Sequence, residues 1–391
     1  MDTAALKDSW ELVAKSGDDV PLYFYSHLFL SHPDLRAMFP ISMSGQRDKL
    51  VGALGRIVSN VDQIDEVAPF IQQLGRDHRR FSVQPEHYNA VGASLLATLK
   101  QFLGASWSDQ LAADWAAAYG VIARVMVEAA EESSENSPAW WDAEVVSVER
   151  RTMDVTVLEI RPEQAYDYLP GQSFAMEIPQ RPRLWRYFSP ANAPREDGSI
   201  ELHVQLVDGG QVSGALVRSV QVGDTVKIGA PVGDQLAWSS EDRRDLLMVA
   251  GGTGLAPLRA VLEGVDRVWQ TEGSGPHVHL LHGARVPWSL YERQRLVAMA
   301  ADRPWLDYTE VVSDDHSFPG ARGLVGSVAA ASRARDGRVA MVCGGPQMVS
   351  HAVDELMVAG TPAEHIRYEQ FHHVGAGDTD DDALNGAGEQ Q

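Results

Sequence analysis

The sequence predicts a multidomain chain, in which an all-α domain, an antiparallel β-barrel and an α/β domain with a doubly wound parallel sheet follow one another. Apolar residues recur at helical spacing up to about residue 140, and then alternate with a period of two. After Asp245, short apolar strands alternate with helical stretches. We therefore place the domains at residues 1–136, 137–240 and 241–374, with a disordered acidic tail at residues 375–391.

The composition of the chain indicates which binding partners are disfavoured and which cellular compartment is expected. The formal net charge of −21 disfavours binding to nucleic acid and stable association with anionic membranes. Cys343 is the only cysteine of the chain, which excludes an intrachain disulfide and fits a reducing compartment. The sequence "MDTAALKDSWELVAK" has no signal-peptide pattern, and no apolar run reaches the length of a membrane span. We therefore expect a cytoplasmic protein.

The first domain is predicted from helix signals. "PLYFYSHLFL" (Pro21–Leu30) opens with Pro, and the segment Pro85–Gly104 begins with Pro and stops at Gly. The segment Ser108–Glu132 has a Ser cap and an apolar stripe at helical spacing: Leu111, Trp115, Tyr119, Ile122 and Met126. "EESSENSPAWW" (Glu131–Trp141) is acidic, Ser-rich and contains Pro, so it is predicted to be a linker.

The second and third domains are predicted from strand signals. "AEVVSVE", "MDVTVLEI", "SFAMEI" and "SIELHVQLV" lie close together between the turns "LPGQ" and "PREDG", which favours an antiparallel barrel. "LLMVAGG", "HVHLLHG", "LDYTEVV" and "VAMVCGG" alternate with helical stretches, which is typical of a parallel doubly wound sheet.

Glycine-rich segments follow strands at three places and suit phosphate binding. "LLMVAGGTGLAPLRAVL" places Gly251, Gly252 and Gly254 between a strand and a helix that opens with Pro257, although an ordinary glycine turn is the simpler interpretation of such a loop alone. "DGGQVSGAL" is a second glycine turn that enters a helix, and "VCGGPQMV" follows a strand at the carboxyl end of the sheet, where dinucleotides bind. Cys343, in the last of these, is expected to be a buried apolar residue rather than a nucleophile.

"RYFSPANAP" (Arg186–Pro194) lies between barrel strands and combines a cation, an aromatic ring and a hydroxyl, which can serve a flavin. Taken alone, the motif is better explained as a β-hairpin with a solvated Arg and a buried Phe. With the other motifs, in this order, residues Ala143–Val374 resemble the ferredoxin–NADP reductase superfamily, which binds FAD in a barrel and a nicotinamide dinucleotide in a Rossmann-like domain.

That resemblance implies which residues hold the two cofactors. FAD would be contacted by Arg186, Tyr187, Phe188 and Ser189, with its phosphates held by Gly210, Gln211, Val212 and Ser213. The nicotinamide nucleotide would be held by Gly251, Gly252, Thr253, Gly254 and Pro257, and by Cys343, Gly344, Gly345, Pro346 and Met348. Glu369 and Phe371, in "YEQF", would lie near the flavin ring. Many relatives have Tyr where this chain has Phe188.

The helical domain contains four candidate ligands for a redox metal: His27, His32, His78 and His87. No iron–sulfur cysteine pattern and no C-x-x-C-H motif exists, but a non-covalent b-type haem needs only one axial His and an apolar pocket. A structural or solvated role is the simpler interpretation for any one of them. His78, in "GRDHRRFSVQPEHY", has the best surroundings, since a helix precedes it and a short turn returns the chain to Tyr88.

This domain resembles a globin, and with the reductase part the chain resembles a flavohaemoglobin. The motifs "YFYSHLFLSHPDLRAMFP", "SGQRDKL" and "GRDHRRFSVQPEHY" carry the resemblance. It implies that His78 is the iron ligand, with Tyr88 and Glu132 completing a hydrogen-bonded triad behind it. On the other haem face it implies the following residues: Tyr25, Phe39, Gln46 and Leu50. Asp77 departs from relatives, which often have Lys before the ligand.

The resemblance implies a nitric oxide dioxygenase that contains haem b and FAD, oxidises NADH or NADPH, and converts NO and O2 to nitrate without an obligatory protein partner. Two alternatives remain open: a flavin-dependent reductase that serves another haem or oxygenase partner, with the globin as a sensor, and a non-enzymatic chain whose helical half binds no haem. Arg285 could meet the 2′-phosphate of NADPH or be solvated, and the lack of a second cation favours NADH.

Overall fold

The computed structural model describes residues 1–332 and 337–371. The chain divides into two compact units, one formed by Met1–Trp140 and the other beginning at Trp141. The acidic tail predicted at residues 375–391 lies outside the described residues, and the predicted domain boundaries stay predictions. Within the described ranges, no helix is long and apolar enough to cross a membrane.

The first unit is helical, as predicted, and packs around an apolar core. Its α-helices are α1 (Thr3–Ala14), α2 (Asp19–Ser31), α3 (Ser44–Ser59), α4 (Ile64–His78), α5 (Pro85–Leu103) and α6 (Asp109–Asn136). The core includes Leu6, Phe24, Leu28, Leu99 and Trp115. Helix α6 continues to Asn136, so the first six residues of the predicted linker are helical instead.

The predicted caps of α5 and α6 are present. Pro85 is the first residue of α5, and Gly104 ends it with a positive φ of 52°. The Ser108 hydroxyl accepts a hydrogen bond from the Leu111 amide at 3.1 Å. These local signals fix both ends of α5 and the start of α6, which the sequence predicted, but not the end of α6.

Helices α4 and α6 approach closely because position 75 has no side chain. A Cβ atom at Gly75 would collide with the backbone of Met126. This contact lets the two backbones pack together and fixes the C-terminal turn of α4, which ends at His78.

The barrel comprises β1 (Trp141–Arg150), β2 (Val155–Pro162), β3 (Ser173–Ile178), β4 (Arg181–Phe188), β5 (Ile200–Gln205) and β6 (Thr225–Val232). Its strands pair antiparallel in the order β4-β3-β6-β1-β2-β5. A bridge between Pro190 and Leu202 joins the segment after β4 to β5, which closes the sheet. Helix α7 (Gln211–Arg218) follows β5, as "DGGQVSGAL" predicted.

The α/β part contains β7 (Leu246–Gly251), α8 (Leu255–Glu272), β8 (Val278–Ala284), α9 (Arg293–Asp302), β9 (Leu306–Val312), β10 (Ala321–Arg322), α10 (Val325–Ala331), β11 (Val339–Gly344), α11 (Pro346–Val358) and β12 (Ile366–Gln370). All pairs are parallel, in the order β10-β9-β8-β7-β11-β12. The chain leaves β7 toward β8 on one side and reaches β11 on the other. A crevice therefore opens at the carboxyl ends of β7 and β11, where ligands of such sheets bind.

Candidate functional site

His78 has the protonation state that a metal ligand requires. Its Nδ1 atom lies 2.6 Å from the Leu74 carbonyl oxygen, four residues earlier on α4. A carbonyl oxygen can only accept, so Nδ1 carries the proton and Nε2 keeps a free lone pair. Burial lowers the pKa of His78, which keeps the ring neutral at pH 7. The ring thus presents Nε2 as a ligand with a fixed tautomer.

The surroundings of His78 correct one expectation. The Tyr88 ring lies 6.4 Å from the His78 ring, centroid to centroid. Glu132, however, has an exposed side chain, whereas the Met126 backbone of α6 lies against Gly75 of α4 and the Ser133 hydroxyl accepts a hydrogen bond from Arg79. The Nδ1 proton of His78 goes to a backbone carbonyl, so the predicted triad with Glu132 is not formed.

The other histidines of this unit have structural roles. The Nδ1 atom of His87 accepts a hydrogen bond from the Gln84 amide at 3.1 Å and thereby caps α5. The His27 Nδ1 atom lies 3.1 Å from the Ser94 hydroxyl. His32 ends α2 in a turn before Pro33. These contacts leave His78 as the ligand candidate among the four.

Tyr25 is buried at the start of a cluster of aromatic rings. Its hydroxyl donates to the backbone carbonyl of Gln46 at 3.2 Å, and burial raises its pKa well above the usual value. The Phe39 ring lies 5.6 Å from the Tyr25 ring in an edge-to-face arrangement. The structure therefore brings Tyr25, Gln46 and Phe39 together, with Leu50 one turn further along α3.

The residues of α3 fit an apolar prosthetic group. Leu50, Val51 and Leu54 pack against the core yet stay partly exposed, whereas only Gly45, Ile57 and Val58 of this helix are buried. An apolar planar molecule that covers the exposed apolar side of a helix removes that surface from water, which is favourable. Together with the free Nε2 atom of His78, this pattern suits a haem.

The segment Arg186–Pro194, which the resemblance assigns to FAD, contains a buried hydroxyl group that lacks a hydrogen-bond partner among the described residues. Ser189 is buried, and its Oγ atom has no hydrogen-bond partner among the described residues. Such a group costs free energy unless a ligand or water completes it. Arg186, Tyr187 and Phe188 precede it on β4 and are all partly exposed.

The turn before α7 is tightly built. Gly210 is the residue before the helix, and a Cβ atom there would lie 2.5 Å from the Ser213 Oγ atom. That hydroxyl accepts a hydrogen bond from the Val207 amide at 3.3 Å. The first turn of α7, with Gln211 and Val212, therefore leaves free amides for a phosphate group.

The two glycine loops of the α/β part contact one another. A Cβ atom at Gly254 would collide with the Cys343 carbonyl, and one at Gly251 would lie 2.7 Å from the Met348 Cε atom. Gly252 has a φ of +55°, which only glycine adopts without strain. The loops lead into α8 and α11, and both helices begin at the crevice. Thr253, Gly344 and Gly345 complete this pair of loops, while Pro257 and Pro346 lie in the first turns of α8 and α11.

The end of the described chain returns to the same edge of the sheet. The Phe371 amide donates to the Gly344 carbonyl at 2.7 Å, and Glu369 pairs with Cys343 in the sheet. Burial raises the pKa of Glu369 to about 7. Cys343 is fully buried, and burial raises the pKa of its thiol well above the usual value, which agrees with a packing role.

Sequence reasoning missed one polar group, formed by Glu201, His203 and Arg259, each at most 6% exposed. These residues lie on β5 and α8 and contact one another. The signal was present as charged residues inside segments that are otherwise apolar, "SIELHVQLV" and "LAPLRAVL". Their partners are distant along the chain, so the pattern alone could not pair them.

Comparisons with known proteins agree with this geometry. A globin family model matches residues 22–126, an oxidoreductase FAD-binding domain model residues 142–236, and an oxidoreductase NAD-binding domain model residues 248–354. The chain is 28% identical to a flavohemoprotein of Bordetella parapertussis over 77% of this chain and 78% of the relative. It is 27% identical to a flavohemoprotein of Bacillus subtilis over 66% and 68% of the two chains.

Solved structures show the same fold. A flavohemoglobin of Malassezia yamatoensis with bound FAD and heme superimposes with a TM-score of 0.74 at 18% identity, over 95% of this chain and 98% of that one. An Amycolatopsis cytochrome P450 reductase superimposes with a TM-score of 0.54 at 27% identity, over 60% of this chain and 70% of that one.

The fold and these matches define an oxidoreductase in which a globin domain precedes FAD-binding and NAD-binding domains. The predicted resemblance to the flavohaemoglobins is confirmed. Haem, FAD and a nicotinamide dinucleotide are the cofactors of these domains.

Proposed function

We propose that this chain is a nitric oxide dioxygenase, which uses NADH, O2 and NO to form nitrate. The tautomer of His78 carries the proposal, because a neutral ring with a free Nε2 atom is what a globin domain needs in order to bind haem iron. The flavohemoprotein relatives support it, as does a structural neighbour described as a domain of a Vibrio cholerae nitric oxide dioxygenase.

His78 would hold the haem iron through Nε2, while the Leu74 carbonyl keeps Nδ1 protonated and the ring oriented. The bond to a neutral carbonyl, rather than to Glu132, makes His78 a less basic ligand than the triad would have made it. Tyr88 lies beside the ring, with 6.4 Å between the ring centroids and 27° between the ring planes.

Tyr25 would orient the gas ligand. A phenol has one proton to donate, so its hydroxyl can serve either the Gln46 carbonyl or a ligand oxygen, but not both at once. A partly negative oxygen is the better acceptor and would draw the proton away from the carbonyl. The raised pKa keeps Tyr25 protonated across the physiological range, so it acts as a donor.

The reductase residues would bring nucleotide and flavin together. The loops at Gly251–Gly254 and Cys343–Gly345 offer helix N-termini to the pyrophosphate, and Ser189 offers a free hydroxyl to the flavin. When bound, NADH supplies two electrons, FAD passes them on singly, and haem iron holds O2. We further propose that the protein acts in the cytoplasm and needs no partner protein.

An electrode measurement of NO tests the proposal. In air-saturated buffer with NADH, the purified protein should consume NO rapidly, and His78→Ala should abolish this consumption along with the Soret band. His78→Ala should still pass electrons from NADH to ferricyanide, which shows that the reductase domains are intact. Equal NO consumption by the wild type and His78→Ala would refute the proposal.

A second candidate function follows from the solved reductases. The ferredoxin reductase in carbazole 1,9a-dioxygenase is 26% identical with a TM-score of 0.54, close to the values for the P450 reductase. These neighbours favour a reductase that serves another acceptor. That function predicts NADH oxidation that does not respond to NO, so the same electrode experiment separates the two.

A further inference from the structure

A buried polar cluster joins the barrel to the parallel sheet. We call it the β5–α8 cluster, and its members are Glu201 and His203 on β5, Arg259 on α8 and Tyr291 in the segment before α9. Arg259 donates to the carboxylate of Glu201, and the His203 Nε2 atom lies 3.0 Å from the Glu201 Oε1 atom. The His203 Nδ1 atom lies 2.8 Å from the Tyr291 hydroxyl oxygen.

The protonation states of the side chains fix which group donates each hydrogen bond in the cluster. Burial lowers the pKa of His203 and raises that of Tyr291, so both are neutral at pH 7. Burial opposes ionisation of Glu201, but His203 and Arg259 outweigh it and hold its pKa well below the usual range. Because the Nε2 atom of His203 faces a carboxylate, it carries the proton, and Nδ1 accepts from the Tyr291 hydroxyl.

Stability alone does not account for this arrangement. Arg259 also lies 3.2 Å from a carboxylate oxygen of Glu263 and 3.7 Å from one of Glu292. Charges removed from water lose solvation free energy, and an apolar contact of similar volume is often as stable. A buried hydrogen-bond network differs from an apolar contact because its hydrogen bonds form only when the two elements that carry them lie in one relative position.

The cluster is linked to the nucleotide loop, residues Gly251–Gly254. His282 on β8 is fully buried, and its Nε2 atom lies 3.2 Å from the Gly252 carbonyl, to which it donates. The Tyr291 ring stands perpendicular to the His282 ring, with 5.8 Å between centroids. From the barrel side, the Gln205 Oε1 atom would lie 3.5 Å from a Cβ atom at Gly252.

We propose that the β5–α8 cluster positions the nucleotide loop on the flavin-binding barrel, so that the nicotinamide reaches the flavin in the orientation required for hydride transfer. Its members are positioning residues, since they act through the loop. A displacement of about 1 Å can slow such a transfer on the order of a hundredfold. This inference rests on the part of the proposed function in which NADH reduces FAD, and not on the reaction with NO.

Three variants of the full-length holoprotein test it. Glu201→Gln removes the charge that orders the cluster, and Tyr291→Phe removes only the hydroxyl. Arg243→Gln is the matched control, because it breaks the Arg243–Glu272 ion pair, whose side chains are 46% and 47% exposed. Anaerobic stopped flow gives the rate of FAD reduction by NADH, calorimetry the affinity for NAD⁺, and hydrogen exchange the protection of amides at residues 251–258.

We expect FAD reduction to slow about tenfold or more in both cluster variants, while the affinity for NAD⁺ changes less than the rate. Exchange should accelerate at residues 251–258 and stay unchanged in Arg243→Gln. Wild-type rate and exchange in both variants would overturn the proposal, as would exchange that rises equally throughout the second unit. If the wild type itself is not reduced by NADH, the proposed function fails, and loop exchange still decides the positioning role.

Discussion

At the scale of single residues, hydrogen-bond partners decide what each side chain can do. His78 and His87 are nine positions apart, and both are imidazoles near a helix end. His78 gives its Nδ1 proton to Leu74 and keeps Nε2 free, whereas the Nδ1 atom of His87 accepts from the Gln84 amide. The first arrangement suits a metal ligand and the second a helix cap.

Tyr25→Phe should release O2 roughly ten- to hundredfold faster, because a hydrogen bond to a partly charged acceptor contributes about 1.5–3 kcal/mol. Stopped-flow replacement of O2 by CO on the reduced protein measures the rate. Tyr23→Phe is the control, since Tyr23 lies on the same helix and packs against His27 and Phe102. Equal release rates in the wild type and Tyr25→Phe would show that the phenol does not contact the ligand.

Glu369 should make the stability of the second unit depend on pH. Its pKa is raised from 4.5 to about 7 by burial, so the folded state retains a proton that the unfolded chain loses. The free energy of unfolding should therefore fall as pH rises through this window. Glu369→Gln lacks the effect, so the difference between wild type and variant, measured by urea unfolding at pH 4.5 and 8, isolates it. An identical pH slope in both proteins would contradict the assignment.

At the scale of elements, backbone contacts at glycines set the distances between helices and strands. Gly75 lets α4 pack against α6, and Gly254 lets the β7–α8 turn pack against Cys343 at the end of β11. Each contact holds a functional segment in place: the turn that ends at His78 in one case and the nucleotide loop in the other.

Gly254→Ala should destabilise the second unit by about 1–3 kcal/mol, because the added methyl group collides with backbone that cannot move aside. It should also weaken NADH binding, since the loop must shift. Gly120→Ala on α6 is the control, because nothing lies within 4 Å of its new Cβ atom. Thermal unfolding and NADH titration provide the measurements, and an unperturbed Gly254→Ala protein would show that the two loops are not in contact.

Local signals explain which elements the sequence could predict. Pro85, Gly104 and Ser108 mark helix ends by their own chemistry, and the Gly251–Gly254 loop follows a strand of continuous apolar residues. Strands β4 and β6 were not recognised as such, because β4 carries three Arg residues and β6 contains Gly and Pro. Their place in the barrel depends on pairing with β3, which is a long-range property.

The candidate site was predictable to the extent that motifs are local. His78 and Tyr88 are close in sequence and lie close in the fold. Glu132 could not be placed in this way, because its position in the motif does not fix which face of α6 it occupies, and its side chain is exposed whereas Ala129 of the same helix is buried. The β5–α8 cluster joins residues about 90 positions apart, from Glu201 to Tyr291, so no motif could reveal it.

At the scale of the whole molecule, three cofactor-binding domains occur in one chain. The proposed reaction fixes the ratio between the NADH that is oxidised and the nitrate that is formed. Each NO molecule that reacts with O2 needs one electron to become nitrate, and each NADH supplies two. A reductase that serves another acceptor has no such link between NADH and nitrate.

The ratio of nitrate formed to NADH consumed therefore distinguishes a nitric oxide dioxygenase from a reductase that serves another acceptor. With NO limiting and O2 in excess, the dioxygenase should form about two nitrate ions for each NADH oxidised above the rate without NO. Ion chromatography and absorbance at the NADH band give the two quantities in one reaction. NADH oxidation without nitrate, or with nitrite in its place, would show that the chain is not a nitric oxide dioxygenase.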